Sequence, residues 1–206
     1  MKNKSFSSNV ATFLLMNFLF ALKHLNAQPG EADSTDNNAF RQWNDKVMDV
    51  SNRISTTYDA DYYTVESFVW AACEYEKQIG IPATVVIGIA VYESSFKSDL
   101  FQHSGNPFGI KAGRDWTGPT FPKFADGENT DFRMYISPEE AVLDFGAFVR
   151  ARGWYKDALS CSRDNYKCVV NGLKKTDTEP GYSTNPEWDT RLIEIIEKLE
   201  LQDLSR

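Results

Sequence analysis

Histidine is nearly missing from this chain. Of 206 residues only His24 and His103 carry an imidazole, which leaves almost no material for a Cys–His nucleophilic pair or a zinc cluster. Cysteine is scarce as well. Cys161 and Cys168 stand seven apart, close enough to staple a short turn in an oxidising compartment. Cys73 shares a helix face with Val69 and reads as a buried thiol. Positive charge is in deficit, with 22 Lys+Arg against 29 Asp+Glu for a formal net charge of -7, and no basic cluster occurs. Such a surface is not drawn to nucleic acid or anionic lipid, so recognition has to rely on a shaped groove. Internal repeats are absent.

Apolar runs long enough to meet a bilayer are confined to the beginning. Met1–Ala27 carries Lys2 and Lys4, an apolar core over residues 11–22 and then Leu25-Asn26-Ala27, the pattern of a secretory signal peptide cut near Ala27. The core is short and interrupted by Asn17, which disfavours a permanent span while leaving an uncleaved anchor open. Lys2, Lys4 and Lys23 are its only charges. Without them Lys+Arg falls from 22 to 19 against 29 Asp+Glu, a net charge of -10. The expected product is secreted or periplasmic, has no membrane span after cleavage, and is a monomer.

What remains suits one domain with a real core. Residues 28–38 are polar and acidic without periodicity and read as a disordered linker; the domain occupies 39–206. Phe40, Trp43, Val47, Val50 and Ile54 step by three and four, the mark of an amphipathic helix. Residues 55–61 read as a turn, and Tyr62–Gln78 as a second helix closed by Gly80. Between Lys97 and Tyr135, Gly and Pro punctuate short aromatic segments; no helix of useful length fits, and a small β lobe is expected with its tip at Ala125-Asp126-Gly127-Glu128. Ser137, Pro138 and Glu140 form a capping box opening another helix. Asp164 caps a helix carrying Val169, Val170 and Leu173, and Asn185-Pro186 opens the last one. The fold class is mainly α (α+β), a helical domain with one β-hairpin lobe.

The chemistry concentrates in Ile81–Lys111. Pro82 suits a first helical turn, and Val86, Ile89, Ala90 and Glu93 then share one face. The run Thr84–Tyr92 is β-branched enough to pass for a buried strand as well. On a helix, Glu93 sits where burial and the negative end of the dipole both disfavour a carboxylate, so it holds its proton near neutral pH. A proton-holding Glu at the lip of a loop is suited to general acid catalysis. The bland alternative is a solvated Glu that ends its helix. Ser94 and Ser95 have no base nearby in sequence, so no serine nucleophile is expected.

Tyr92-Glu93-Ser94-Ser95-Phe96 and Asn106-Pro107-Phe108-Gly109-Ile110-Lys111, followed by Phe132–Ser137, Glu140-Ala141 and Gly181–Pro186, resemble the signature of glucosaminidases of glycoside hydrolase family 73. The likeness covers about residues 65–201, with its blocks in the family's order. It implies a lysozyme-like domain whose hairpin lines an active-site groove, and endo-β-N-acetylglucosaminidase action on the glycan strands of peptidoglycan. No cofactor and no metal is implied. Glu93 takes the part of general acid. Tyr182 matches a tyrosine that the family places beside the cleaved bond. Asn106, Phe108, Trp116 and Tyr135 are candidates for substrate binding, Trp116 or Tyr135 as a stacking floor; core packing is the competing reading for Phe108, and by analogy Asn106 also braces the loop after Glu93.

The second carboxylate is where the chain departs from the pattern. Lys123-Phe124 stands where many relatives carry Glu before an aromatic residue. Glu128 is the first candidate for a displaced role, with Asp126 and Asp131 beside it; a substrate N-acetyl group supplying its own nucleophile is the other route. Two further readings stay open. One is a lytic transglycosylase or muramidase, disfavoured because Phe108-Gly109-Ile110-Lys111 replaces their usual Gly-Leu-Met-Gln type block. The other is a wall-binding protein without catalysis.

Overall fold

The computed structural model describes residues 34–125 and 127–204, with only the backbone of residues 34–37. The leader read over residues 1–27 and Asp126 of the hairpin tip lie outside these. The chain divides into two compact units, residues 1–45 and 46–206. The described part of the first is the opening of helix α1 (Ser34–Tyr58). Two boundaries differ from expectation. Ser34–Asn38 belongs to the helix and not to a linker, and the helix runs through the stretch 55–58 expected to turn. It stops at Asp59, whose φ of 51° is left-handed; there the Ser55 hydroxyl donates to the Ala60 carbonyl at 2.7 Å.

The second unit is built around α3 (Ala83–Ser94). The backbone of Ala83–Ser94 is helical, which decides between helix and strand, and every residue from Ala83 to Val91 is buried. A helix apolar on all sides is one enclosed by others. Helices α2 (Tyr62–Ile79) and α8 (Trp188–Lys198) pack on it. Gly88 permits the close approach of α8: a Cβ there would lie 2.9 Å from Ile196 Cγ1 and 3.0 Å from Leu192 Cδ1. α2 begins under the Asp61 cap and ends at left-handed Gly80.

Between α3 and the β lobe comes α4 (Asp99–Ser104), six residues capped by Ser98 and closed by Gly105. It is short, but it occupies part of the stretch expected to hold no helix, because Ser98 and Gly105 supply both caps locally. Strands β1 (Thr120–Ala125) and β2 (Glu128–Arg133) pair antiparallel, with Ala125 opposite Glu128, so the tip falls where the Asp-Gly pair places it. Lys123 Nζ meets Asp99 Oδ2 at 3.0 Å, and the rings of Phe121 and His103 stack at 5.6 Å, pinning the hairpin to α4.

Helix α5 (Pro138–Arg150) starts as a capping box displaced by one residue. Ser137 Oγ accepts from the Glu140 N–H, while the Glu140 carboxylate accepts from the Ile136 N–H at 2.8 Å. Then follow α6 (Lys156–Ser160) and α7 (Tyr166–Leu173), joined by the Cys161–Cys168 disulfide. The cap of α7 is Asn165, accepting from the Cys168 N–H at 3.1 Å. Asp164, expected in that role, is taken by the Ser162 hydroxyl. Cys73 is half-buried rather than buried.

Gly105 carries a testable consequence. Its φ is 66°, and an added Cβ would stand 2.4 Å from the Tyr135 carbonyl oxygen. That carbonyl belongs to the residue whose N–H donates to Ser104 at 2.8 Å, the seam between α4 and the segment after β2. Gly105→Ala therefore meets left-handed strain and a backbone clash together. A loss of about 1–3 kcal/mol is expected in chemical denaturation; an unchanged midpoint would show that this seam yields freely.

Candidate active site

Glu93 lies in the last turn of α3, and the chain leaves the helix abruptly after it. Ser95 and Phe96 are both left-handed, with φ of 47° and 56°. Two successive non-glycine residues there store strain of about 1–3 kcal/mol each, tolerable only where the surroundings fix them. The surroundings do so. Ser94 Oγ donates to the Ala90 carbonyl at 2.7 Å and accepts from the Phe96 N–H at 3.1 Å. Gln102 Nε2 donates to the Phe96 carbonyl at 3.0 Å, and the Phe96 ring is buried against Phe68 at 5.2 Å.

On the face shared with Glu93, Val86, Ile89 and Ala90 are buried, but Glu93 itself emerges and counts as exposed. Burial of its surroundings nevertheless raises the carboxyl from 4.5 to about 7, with the Trp188 indole pulling it back down. The residue is open to solvent, yet enough protein crowds its carboxyl to withhold part of its solvation. A nearby cavity of about 500 Å³ is lined by Tyr92, Ser95 and Arg191 but not by Glu93, which answers to Tyr182 and Trp188 instead.

Tyr182 stands beside Glu93. Burial pushes its phenol well above the ordinary 10, and the Glu93 charge pushes it further. The phenol therefore keeps its proton and donates it to the Phe108 carbonyl at 3.0 Å. The ring lies 5.5 Å from Trp188 and 5.9 Å from Phe145. Asn185 fixes this corner, donating from Nδ2 to Tyr92 Oη at 3.0 Å and accepting from the Glu187 N–H at 3.0 Å.

Asn106 is buried and committed to the protein. Its amide donates to the carbonyls of Ile110 at 3.0 Å and Arg133 at 2.9 Å, and its oxygen accepts from the N–H groups of Phe108 and Ile110, both at 3.2 Å. With its donors and acceptor engaged it braces the loop and offers nothing to a ligand. Phe108 is likewise buried, stacked on Phe145 at 4.5 Å, so packing is the role its ring has. Tyr135 is buried too, and its hydroxyl donates to Asp144 at 2.6 Å; it supports the wall rather than forming an open floor. Trp116 alone of the proposed binding residues keeps a half-exposed ring, held edge-on to Tyr135 at 5.8 Å with Nε1 donating to the Pro119 carbonyl at 2.9 Å.

Beneath Trp116 lies a cluster with no role assigned to it from the sequence. Arg133 is bidentate to Asp144 at 2.8 and 3.0 Å, reaches Asp115 at 2.8 Å, and sits 5.0 Å from the Trp116 ring centre. The signal that marks it is an Arg in a strand position whose neighbour Phe132 is buried. Glu128 and Asp131 are exposed on β2, and neither is among the groups that perturb Glu93.

The model of the glucosaminidase family described as mannosyl-glycoprotein endo-beta-N-acetylglucosaminidase matches residues 69–201. The chain belongs to this family. Its glucosaminidase region is 26% identical over 137 residues to the peptidoglycan hydrolase FlgJ of Salmonella typhimurium, covering 60% of this chain and 42% of that protein. The chain thus spans less than half the length of this curated relative. Among solved structures, a peptidoglycan hydrolase from Sphingomonas sp. A1 aligns with a TM-score of 0.57 at 25% identity, covering 68% of this chain and 90% of that one. The glycoside hydrolase domain of Salmonella typhimurium FlgJ aligns with a TM-score of 0.55 at 23% identity, covering 66% and 86% respectively, and shows the shared fold.

Proposed function

We propose that this glucosaminidase domain hydrolyses the glycan strands of peptidoglycan as an endo-β-N-acetylglucosaminidase, with Glu93 as the general acid. The observation that carries this reading is the Glu93 carboxyl, on an exposed residue at the end of α3 yet raised to about 7 by its surroundings. Glycosidic cleavage needs a proton delivered to the leaving oxygen, and a carboxyl that is half protonated at neutral pH can deliver it. The half-exposed Trp116 ring offers a plane for the C–H face of a sugar.

The second task is stabilising positive charge at the sugar carbon. Glu128 stands exposed at the start of β2 and is not among the groups that perturb Glu93. The substrate's own N-acetyl oxygen supplies the internal nucleophile instead. Tyr182, protonated and adjacent to Glu93, can turn its hydrogen bond from the Phe108 carbonyl to that acetamido group. The Cys161–Cys168 disulfide fits an oxidising compartment outside the cytoplasm. No described helix is long and apolar enough to cross a membrane.

Digestion of purified sacculi, followed by analysis of the new reducing ends, tests the reaction. N-acetylglucosamine ends support the reading. Anhydromuramic ends would make the chain a lytic transglycosylase, muramic ends a muramidase, and sedimentation with sacculi without cleavage a binding protein. Glu128→Gln is expected to keep activity within about threefold, and de-N-acetylated glycan is expected to resist cleavage; the opposite pair of results would return Glu128 to the mechanism. The rate itself should fall above pH 7 as Glu93 loses its proton.

A further inference from the structure

Trp188 is a core residue with one polar atom unaccounted for. Its ring is 1% exposed, wedged between Tyr182 at 5.5 Å and Tyr92 at 6.4 Å, the latter meeting it edge-on. Its indole Nε1 is buried and makes no formed hydrogen bond among the described residues. An indole N–H is a donor only, and when buried it normally finds a partner. The group it acts on is the Glu93 carboxyl, in the direction that favours the charged form, although the approach falls outside the geometry of a formed bond. Catalytic hydrogen bonds are commonly long in the empty state and tighten when substrate is bound.

The placement of this N–H is built, not incidental. Trp188 opens α8, and its own backbone N–H donates to the Asn185 carbonyl at 3.1 Å. Asn185 in turn holds the hydroxyl of Tyr92, the residue before Glu93, at 3.0 Å. Asn185 therefore ties the start of α8, through its carbonyl, to the end of α3, through its side chain, and so fixes the Trp188 ring against the residue that precedes Glu93. Trp188 from α8 and Tyr182 from the segment before it both interact electrostatically with Glu93, and Tyr92 precedes it on α3.

We propose that Trp188 is the positioning residue of the acid, its indole N–H holding one Glu93 oxygen so that the other presents its proton to the glycosidic oxygen. This rests on the reading of Glu93 given above. The N–H stabilises the carboxylate that remains after proton transfer, so it also helps the acid to give its proton up. Losing it leaves Glu93 more reluctant to ionise.

Two measurements test this, one of them without any change to Trp188. In the native protein, the Trp188 indole 1H–15N resonance is expected to shift with pH at the same midpoint as the Glu93 carboxyl, and to stop doing so in Glu93→Gln. A resonance indifferent to Glu93 would overturn the proposal. In Trp188→Phe, which keeps a ring and removes the donor, the alkaline limb of the kcat/KM profile on sacculi is expected to move to higher pH by roughly half a unit to one unit, with kcat down by roughly 2–10-fold and KM little changed. A slower enzyme whose alkaline limb stays put would mean that Trp188 only packs. Native protein that fails to cleave sacculi while its indole still follows Glu93 would defeat the functional reading and leave the Trp188 contact standing.

Discussion

Glu93→Gln is expected to lower cleavage of sacculi by at least ~100-fold while the protein stays folded. The amide keeps the shape of the side chain and removes the transferable proton, and a positioned acid contributes roughly 100- to 10,000-fold. The variant also has a signature in stability. The folded carboxyl titrates near 7 and the unfolded one near 4.5. Between those values the folded state binds more protons than the unfolded chain, so native stability is full below pH 4.5 and falls as pH rises towards 7. Gln has nothing to titrate. The variant should therefore melt above the native protein at pH 8 and converge with it at pH 4. A variant that is inactive because it is misfolded would melt lower at both values.

The second large effect lies under Trp116. Arg133 and Asp144 have side chains only 4% and 16% exposed, and Asp144 also accepts from the Tyr135 hydroxyl. Asp144→Ala leaves a buried guanidinium without its bidentate partner and a buried phenol without its acceptor. Breaking such a pair from one side costs up to about 3–5 kcal/mol, and the half-exposed Asp115 that still reaches the guanidinium offsets only part of it. In thermal unfolding this amounts to a fall of roughly 10 °C for a domain of this size. Asp115 reaches the same guanidinium but is 53% exposed, so Asp115→Ala should cost less than about 1 kcal/mol. Equal losses from the two variants would show that water reaches Arg133 and that the cluster does not brace the loop bearing Trp116.

The fold was legible wherever local chemistry and burial agree. Ser137-Pro138 and Asp-Gly at 126–127 mark a helix start and a hairpin tip from a few residues, because caps and tight turns are decided within four or five positions. α3 was ambiguous because a helix buried on every side loses the periodicity that identifies it. The boundaries of α1 shifted for a different reason: Asp59 stops the helix in a left-handed conformation that residue type signals only weakly, and nothing polar in Ser34–Asn38 forbids helix.

The site was legible in part. Glu93 stands out because a carboxyl follows an apolar run, and the consecutive left-handed Ser95 and Phe96 that aim it are invisible in composition. Asn106 and Phe108 carried a packing or bracing reading beside the binding one, and the structure shows those contacts: the Arg133 and Ile110 carbonyls for Asn106, Phe145 for Phe108. Tyr135, read as a stacking floor, is instead buried and bonded to Asp144. Trp188 read as core, which it is; the part proposed for its N–H depends on the packing of α8 on α3, which no spacing along the chain contains.

The measurement that bears most directly on the account is the titration of the Glu93 side-chain carboxyl by 13C NMR in the native protein. A midpoint near 7, far above the ordinary 4.5, is the result expected from a carboxyl that its surroundings partly desolvate. A midpoint near 4.5 would mean that water surrounds the group, and the general acid would have to be sought elsewhere.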